Sequence, residues 1–282
     1  MKIESIETKD MTFRFLKEVA ILNQNCPGFG TVKDSTVLAL KTFLRKIGVP
    51  RVSIKKSSFD IPCWKIKLED MNCHFELLFE NNKTKGSISK LGKFYKEIRF
   101  ADMLPAYPFV GYYSTRFSNA NTKENIIDNV FDSYENVLNE HLSTNVIRTL
   151  LYSHAYENEL LLKGKKAEEE TAIYKIETIF KLIIRGMQAV IVSQNRKALT
   201  FKKNGGFLDF KDLNHFERFL FLFLCDFILR ARFLVNESFE FKTDYTENNG
   251  VLVFDGGGDA ISETLSILHE HFPFMQFIHF RD

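Results

Sequence analysis

The chain has 282 residues, of which 45% are hydrophobic and 26% charged, a composition typical of globular proteins with one large core or two smaller ones. Its formal net charge of +2 is too small to imply a polyanionic partner from overall electrostatics. We expect no membrane segment, since the apolar run 219–224 is interrupted at Asp226, and no signal peptide in residues 1–10. Without paired CxxC spacing, the cysteines are expected to be free thiols in a cytoplasmic protein.

The N-terminal pattern predicts a strand, a loop and a helix. Residues 1–22 alternate as strands do, and residues 23–31, NQNCPGFGT, predict a loop. A helix is predicted from Lys33, because apolar residues then recur at helical spacing. In such an arrangement, helix-terminal N–H groups and a lysine can hold phosphate groups. The alternative is that Lys33 is a solvated lysine at the start of a helix.

The next region is predicted to be rich in strands. Three strands are predicted at Val52–Ile54, Trp64–Leu68 and Cys73–Phe79, and another at Ala106–Thr115. The adjacent Cys73 and His74 have no second pair of ligands near them in the sequence, so we predict no metal site.

The middle of the chain is predicted to be mainly helical. Residues 123–187 carry apolar residues at helical spacing, and the polar run 163–170 predicts a solvated connection. Two strands follow, at Ala189–Ser193 and Ala198–Lys202, with a turn signal at residues 204–206. Leu213–Val235 then predicts an apolar helix that is capped by Asp212 or Asn214.

The C-terminal segment predicts a strand–helix–strand unit. Val251–Phe254 is a short apolar strand that ends at Asp255 and three glycines. A helix follows, Pro273 ends it, and Met275–Phe280 supplies a second buried strand. An acidic residue at the carboxyl end of the first strand lies where open α/β sheets bind ligands.

Several segments of this sequence resemble one family. Phe272, Pro273, Gln276, Phe277 and Ile278 match a segment that resembles FPxxQFIxTTH in ATP-binding-cassette (ABC) ATPases of the SMC, Rad50 and RecF kind, most closely those of prokaryotic anti-phage defence systems. GYYST at 111–115 is similar to a strand of the same ATPases, and residues 213–221 resemble their signature segment, LSSGEKRLL.

The resemblance implies an α/β fold of the ABC-ATPase (P-loop NTPase) type, with a mixed sheet. It implies a single domain over residues 1–282. Its parts would be an N-terminal β lobe at 1–116, an inserted helical arm at 117–195 and a C-terminal lobe at 196–282.

The resemblance also implies a vestigial nucleotide site. Against the pattern GxxGxGKS/TT, residues 27–35 keep Gly30 and Lys33, but Val32 replaces a glycine and Asp34 replaces the hydroxyl that binds magnesium. Gly256 replaces the general-base glutamate, so no catalytic residue and no metal ligand is assigned. The cofactor-binding candidates are Gly30, Lys33, Asp34, Ser35 and Asp255.

We therefore predict a pseudo-ATPase, a non-hydrolysing regulatory or scaffolding subunit of a prokaryotic defence or DNA-processing complex. Two alternatives stay open. One is a divergent ATPase that binds ATP through Lys33 and Asp255 and is completed in trans. The other is a module without nucleotide that binds protein or nucleic acid through the helical arm or a basic strip, such as Lys55–Lys56 or Lys202–Lys203. No cofactor is expected unless the vestigial site still binds ATP and magnesium. The expected partner is another protein or a second copy, in a head-to-tail dimer, with DNA as the alternative.

Overall fold

The computed structural model describes most of the chain, and every structural statement below refers to that part. The described residues are 2–7, 11–46, 64–70, 73–80, 83–90, 93–95, 109–115, 117–118, 142–193, 198–235 and 249–282. They belong to two compact units, which are treated separately. One unit comprises 1–113, 134–140 and 246–282, and the other comprises 114–133 and 141–245. The predicted three-part division of a single domain stays a prediction.

Strands outnumber helices among the described elements. The strands are β1 (Lys2–Glu7), β2 (Thr12–Arg14), β3 (Val19–Asn23), β4 (Trp64–Asp70), β5 (Cys73–Glu80), β6 (Lys83–Lys90), β7 (Lys93–Tyr95), β8 (Phe109–Ser114), β9 (Phe117–Ser118), β10 (Leu142–Ser143), β11 (Met187–Val192), β12 (Leu199–Lys203), β13 (Gly206–Asp209), β14 (Gly250–Asp255) and β15 (Met275–Arg281). The helices are α1 (Phe29–Lys46), α2 (Asn145–Leu162), α3 (Ala172–Ile183), α4 (His215–Val235) and α5 (Gly258–His271). The predicted α/β class is confirmed.

The first unit contains an antiparallel sheet in the order β2-β1-β4-β5-β6-β7. β4 and β5 pair as a hairpin with Trp64 opposite Phe79 and Asp70 opposite Cys73. The predicted strands at Trp64–Leu68 and Cys73–Phe79 are therefore confirmed. The predicted strand Val52–Ile54 lies outside the described residues, as does the basic pair Lys55–Lys56.

The same unit contains a second sheet, in the order β3-β15-β14-β8. β14 runs parallel to β15, with Leu252 opposite Phe277, and β15 runs parallel to β3, with Phe277 opposite Val19. α5 connects β14 to β15 and turns buried apolar side chains, among them Leu265, toward the interior. The order β14, α5, β15 confirms the predicted strand–helix–strand unit. Apolar strands that are buried on both faces need packed helices to cover them.

A side-chain amide connects these two sheets. Gln276, which is buried on β15, accepts a hydrogen bond from the Ile3 backbone N–H at 2.8 Å through Oε1. Its Nε2 donates to the Ile3 carbonyl oxygen at 3.0 Å. The amide therefore satisfies both polar backbone groups of one β1 residue, much as a neighbouring strand would.

The second unit joins three helices and a small antiparallel sheet in the order β11-β12-β13. α4 packs against both α2 and α3, and rings from three elements meet in its core. The centroids of Phe201 and Phe221 are 4.9 Å apart, and those of Phe180 and Phe221 are 5.6 Å apart. The helix prediction for residues 123–187 is confirmed at α2 and α3, whereas residues 119–141 lie outside the described part of the chain.

Helix α4 combines an apolar sequence with buried charges. Arg230 Nε donates to Asp226 Oδ1 at 2.6 Å, one turn earlier, and both side chains are buried. A buried charge requires such a partner, because an isolated ion loses its hydration without compensation. Across the described residues, no helix is both long and apolar enough to span a membrane.

The connection between α2 and α3 differs from the sequence prediction. Residues 163–170 were expected to be solvated throughout, but Lys166 turns inward and its Nζ lies 2.9 Å from Glu157 Oε1. The Lys166 side chain is only 2% exposed and that of Glu157 is fully buried. Glu157 also accepts the backbone N–H of Ala172, the first residue of α3. The prediction was wrong at Lys166, since composition alone does not show a partner on the preceding helix.

We expect the substitution Lys166→Ala to destabilise the protein by about 3–5 kcal/mol, because it leaves the Glu157 carboxylate buried without its ion-pair partner. The matched control is Lys181→Ala, which removes the surface pair with Glu177 (2.8 Å) and should cost under about 1 kcal/mol. Urea unfolding followed by circular dichroism measures both values. Equal losses in the two variants would contradict the buried-pair interpretation.

Candidate functional site

Asp255 is the centre of the candidate site. Its Oδ1 lies 2.5 Å from Lys33 Nζ, and its Oδ2 accepts a hydrogen bond from the Tyr112 hydroxyl at 2.5 Å. Both carboxylate oxygens therefore have a charged or polar partner. The side chains of Lys33 and Asp255 are 27% and 18% exposed, so the pair is partly accessible to water.

The sheet order explains why residues so distant in sequence meet. Asp255 ends β14, Lys33 lies in the helix that follows β3, and β15 pairs with both strands. Because β3, β15 and β14 run parallel, their carboxyl ends point toward the same edge, where α1 also begins. Tyr112 comes from β8, the neighbour of β14 on the other side. This edge of the sheet therefore brings together the Lys33 ammonium, the Asp255 carboxylate and the Tyr112 phenol.

The loop before α1 differs from the predicted phosphate loop. α1 begins at Phe29 instead of Lys33, so Gly30 and Lys33 are helical and only residues 24–28 separate the helix from β3. This short loop uses its own N–H groups: Cys26 N donates to Asn23 O at 2.9 Å and Phe29 N donates to Cys26 O at 3.1 Å. A phosphate-binding loop needs N–H groups that point at the ligand. Here the N–H groups of Cys26 and Phe29 are bonded within the loop.

The other predicted site residues occupy different environments. Gly30 lies exposed in the first turn of α1, whereas Ser35 is fully buried and its hydroxyl has no hydrogen-bond partner among the described residues. Asp34 is at the surface next to Lys33. Partial burial raises the pKa of the Asp34 carboxyl; Lys33 lowers it and Asp255 raises it. The structure thus brings Asp34 close to the Lys33–Asp255 pair, but it places the Ser35 hydroxyl in the interior.

The turn after Asp255 consists of three glycines with positive φ. Gly257 is the N-cap of α5 with φ 88°, a left-handed conformation that glycine adopts without steric cost. Gly256 stands where the resemblance places the general base. The nearby carboxylate of Asp259 is 67% exposed, and its Oδ1 lies 2.7 Å from Arg281 Nη1. It is therefore engaged at the surface of α5.

A buried histidine, which the sequence analysis did not single out, holds this turn. His279 Nε2 lies 2.9 Å from the Gly256 carbonyl oxygen, and Nδ1 lies 3.0 Å from Ser262 Oγ. Since a carbonyl oxygen only accepts, Nε2 carries the proton and Nδ1 accepts from the serine hydroxyl in the neutral ring. Burial lowers the pKa of His279, although the bond to Gly256 opposes this shift. The neutral ring thereby positions the residue that follows Asp255.

Tyr112 was also missed, although its segment was noted. The GYYST run predicted a strand, and Phe109–Ser114 is one. Nothing in the run distinguishes the tyrosine that contacts Asp255 from its neighbour, since this depends on how β8 sits beside β14. Tyr113 is fully buried and stacks on Phe254 with a centroid distance of 5.8 Å. Alternation along a strand explains why adjacent tyrosines have different environments.

The signature-like segment is a helix cap in the structure. Asn214 Oδ1 accepts the Glu217 backbone N–H at 2.9 Å, and Glu217 Oε2 accepts the Asn214 N–H at 3.2 Å, a reciprocal capping box. The predicted Asn214 cap is confirmed. Glu217 Oε1 also lies 2.5 Å from Lys203 Nζ. One lysine of the proposed Lys202–Lys203 basic strip is thus engaged with a buried carboxylate.

No protein-family profile matches the sequence, and no curated protein matches it significantly. The likeness to ABC ATPases therefore rests on the short segments given above.

We expect the unfolding free energy to fall as the pH decreases below about 6.5, the usual pKa of histidine. The folded state holds His279 neutral, so below this pH the unfolded chain binds more protons, and the stability present above it is lost. The difference between wild type and His279→Gln should show this step, because other groups titrate in both proteins. His271→Gln, which removes a half-buried imidazole at the end of α5 and keeps His279, is the control, and the step that depends on His279 should persist in it. A step that survives His279→Gln would contradict the assignment.

Proposed function

We propose that this chain is a pseudo-ATPase, a non-hydrolysing regulatory or scaffolding subunit. The observation that carries the proposal is that Asp255 binds Lys33 and Tyr112 with its two oxygens. The groups that would hold magnesium and a phosphate group thus satisfy each other. A role in a prokaryotic defence or DNA-processing complex is proposed from the resemblance of residues 111–115, 213–221 and 272–278.

The surroundings of Asp255 support the absence of turnover. Hydrolysis requires a base near the attacking water, which commonly contributes about 10²–10⁴-fold to the rate, and Gly256 has no side chain. Phosphoryl transfer also relies on positioned donors and cations around the phosphates. The donors that the loop could supply at Cys26 and Phe29 are bonded to Asn23 O and Cys26 O.

The residues present do not fit a magnesium–nucleotide complex. Asp34 places a carboxylate where the resemblance implies that a hydroxyl would ligate the metal, and the hydroxyl of Ser35, the next residue, is buried. A second carboxylate beside Asp255 adds negative charge where phosphates would approach. We therefore derive no chemical step from ATP or magnesium at this site.

An ATP-hydrolysis assay tests the proposal. Purified protein with magnesium and ATP should release phosphate no faster than the variants Lys33→Ala and Asp255→Ala, since the wild-type site lacks a base. The sensitive comparison is between wild type and Lys33→Ala purified in the same way, because a contaminating ATPase contributes equally to both. Turnover that Lys33→Ala abolishes would overturn the proposal.

A second candidate is supported by one specific observation. Lys33 and Asp255 are adjacent and partly exposed, as they would be in a divergent ATPase whose missing groups come from a partner. Titration with a non-hydrolysable magnesium–ATP analogue separates the two candidates. Saturable binding that Asp255→Ala abolishes would favour the divergent ATPase, whereas the pseudo-ATPase proposal predicts no such binding.

A further inference from the structure

The Lys33–Asp255 pair has a consequence beyond the loss of turnover. The Lys33 ammonium already has an anionic oxygen 2.5 Å away. Tyr112 holds the other oxygen of the same carboxylate, so the carboxylate is fixed from two sides. An arriving phosphate group would have to compete with the Asp255 carboxylate for the ammonium.

The charge balance around the ammonium also disfavours an anion. Two carboxylates, those of Asp255 and Asp34, lie near one ammonium, and the pKa of Asp34 responds to both Lys33 and Asp255. At neutral pH the three groups together are negative. Because the pair is partly shielded from water, the repulsion of an incoming phosphate is stronger than it would be between solvated charges.

We propose that Asp255 is a built-in counter-anion that occupies the phosphate-binding position of Lys33 and keeps this site closed to ligands bearing phosphate groups. The inference rests on the proposed function, because it explains how the same site is kept empty. Asp255 then has a role opposite to that of a metal ligand, because its carboxylate excludes a polyphosphate. Tyr112 is the residue that positions this carboxylate. The ligand class that the neutralised site would accept is a polyphosphate without a divalent cation.

The direct test is the variant Asp255→Asn, titrated with inorganic tripolyphosphate by calorimetry at low salt in the presence of a chelator. Removing the negative charge releases Lys33, so tripolyphosphate should bind about tenfold or more tightly than to wild type. The matched control is Asp259→Asn, which makes the same change of charge on α5, at a carboxylate paired with Arg281. The control should leave the affinity within about twofold, because Asp259 is exposed to screening solvent.

The double variant Lys33→Met with Asp255→Asn tests the route of binding. It should lose the gained affinity, since the released ammonium is the group that contacts the phosphate. A gain that persists without Lys33, or a gain that Asp259→Asn reproduces, would overturn the proposal. The same holds if Asp255→Asn folds and binds no more tightly than wild type, as expected if the pair is structural alone.

Tyr112→Phe keeps the test decisive if Asp255→Asn does not fold. This variant retains the ion pair and removes the hydroxyl that holds Oδ2, so the carboxylate should yield more easily and the affinity should rise about threefold or more. An unchanged affinity in folded Tyr112→Phe would then overturn the inference. Hydrolysis of ATP by wild type would overturn the proposed function instead, so the two failures are distinguishable.

Discussion

The contact between Lys33 and Asp255 is the interaction on which this edge of the sheet depends. Each side chain loses part of its hydration in the fold, and the attraction between the two charges compensates for this loss. The pair requires α1 and the end of β14 to meet, and it therefore needs β15 to lie between β3 and β14. The same requirement places Tyr112 and the glycine turn beside the carboxylate. Positional precision at the site thus comes from the sheet, and the chemistry comes from a cation and an anion that neutralise each other.

Much of the first unit's parallel sheet was predictable, because its strands are short apolar runs between strong turn signals. Val251–Phe254 followed by three glycines predicts a buried strand from local pattern, and element order then predicts that Lys33 and Asp255 approach the same edge. The start of α1 was not predictable from composition: Gly30 and Thr31 favour a loop on propensity, yet they continue a helix whose inner face packs in the core. Helix boundaries are weakly encoded wherever packing outweighs propensity.

The remaining differences share a physical cause, since they depend on partners distant in sequence. Lys166 belongs to a run that looks solvated, but Glu157 on the preceding helix draws it into the interior. His279 looks like any other histidine in an apolar strand until the fold brings the Gly256 carbonyl oxygen to 2.9 Å from its Nε2. Tyr112 differs from Tyr113 only in the neighbours that the sheet gives it. Such contacts form when elements dock, so local periodicity does not contain them.

The position of β15 has a kinetic consequence. Among the described strands, β3 (Val19–Asn23) pairs only with β15 (Met275–Arg281), which is far from it in the sequence. This pairing must therefore close a very long loop, and closing so long a loop is slow. Until β3 and β15 pair, the backbone N–H and C=O groups of β3 lack that strand partner, and such unpaired edges favour association with other chains.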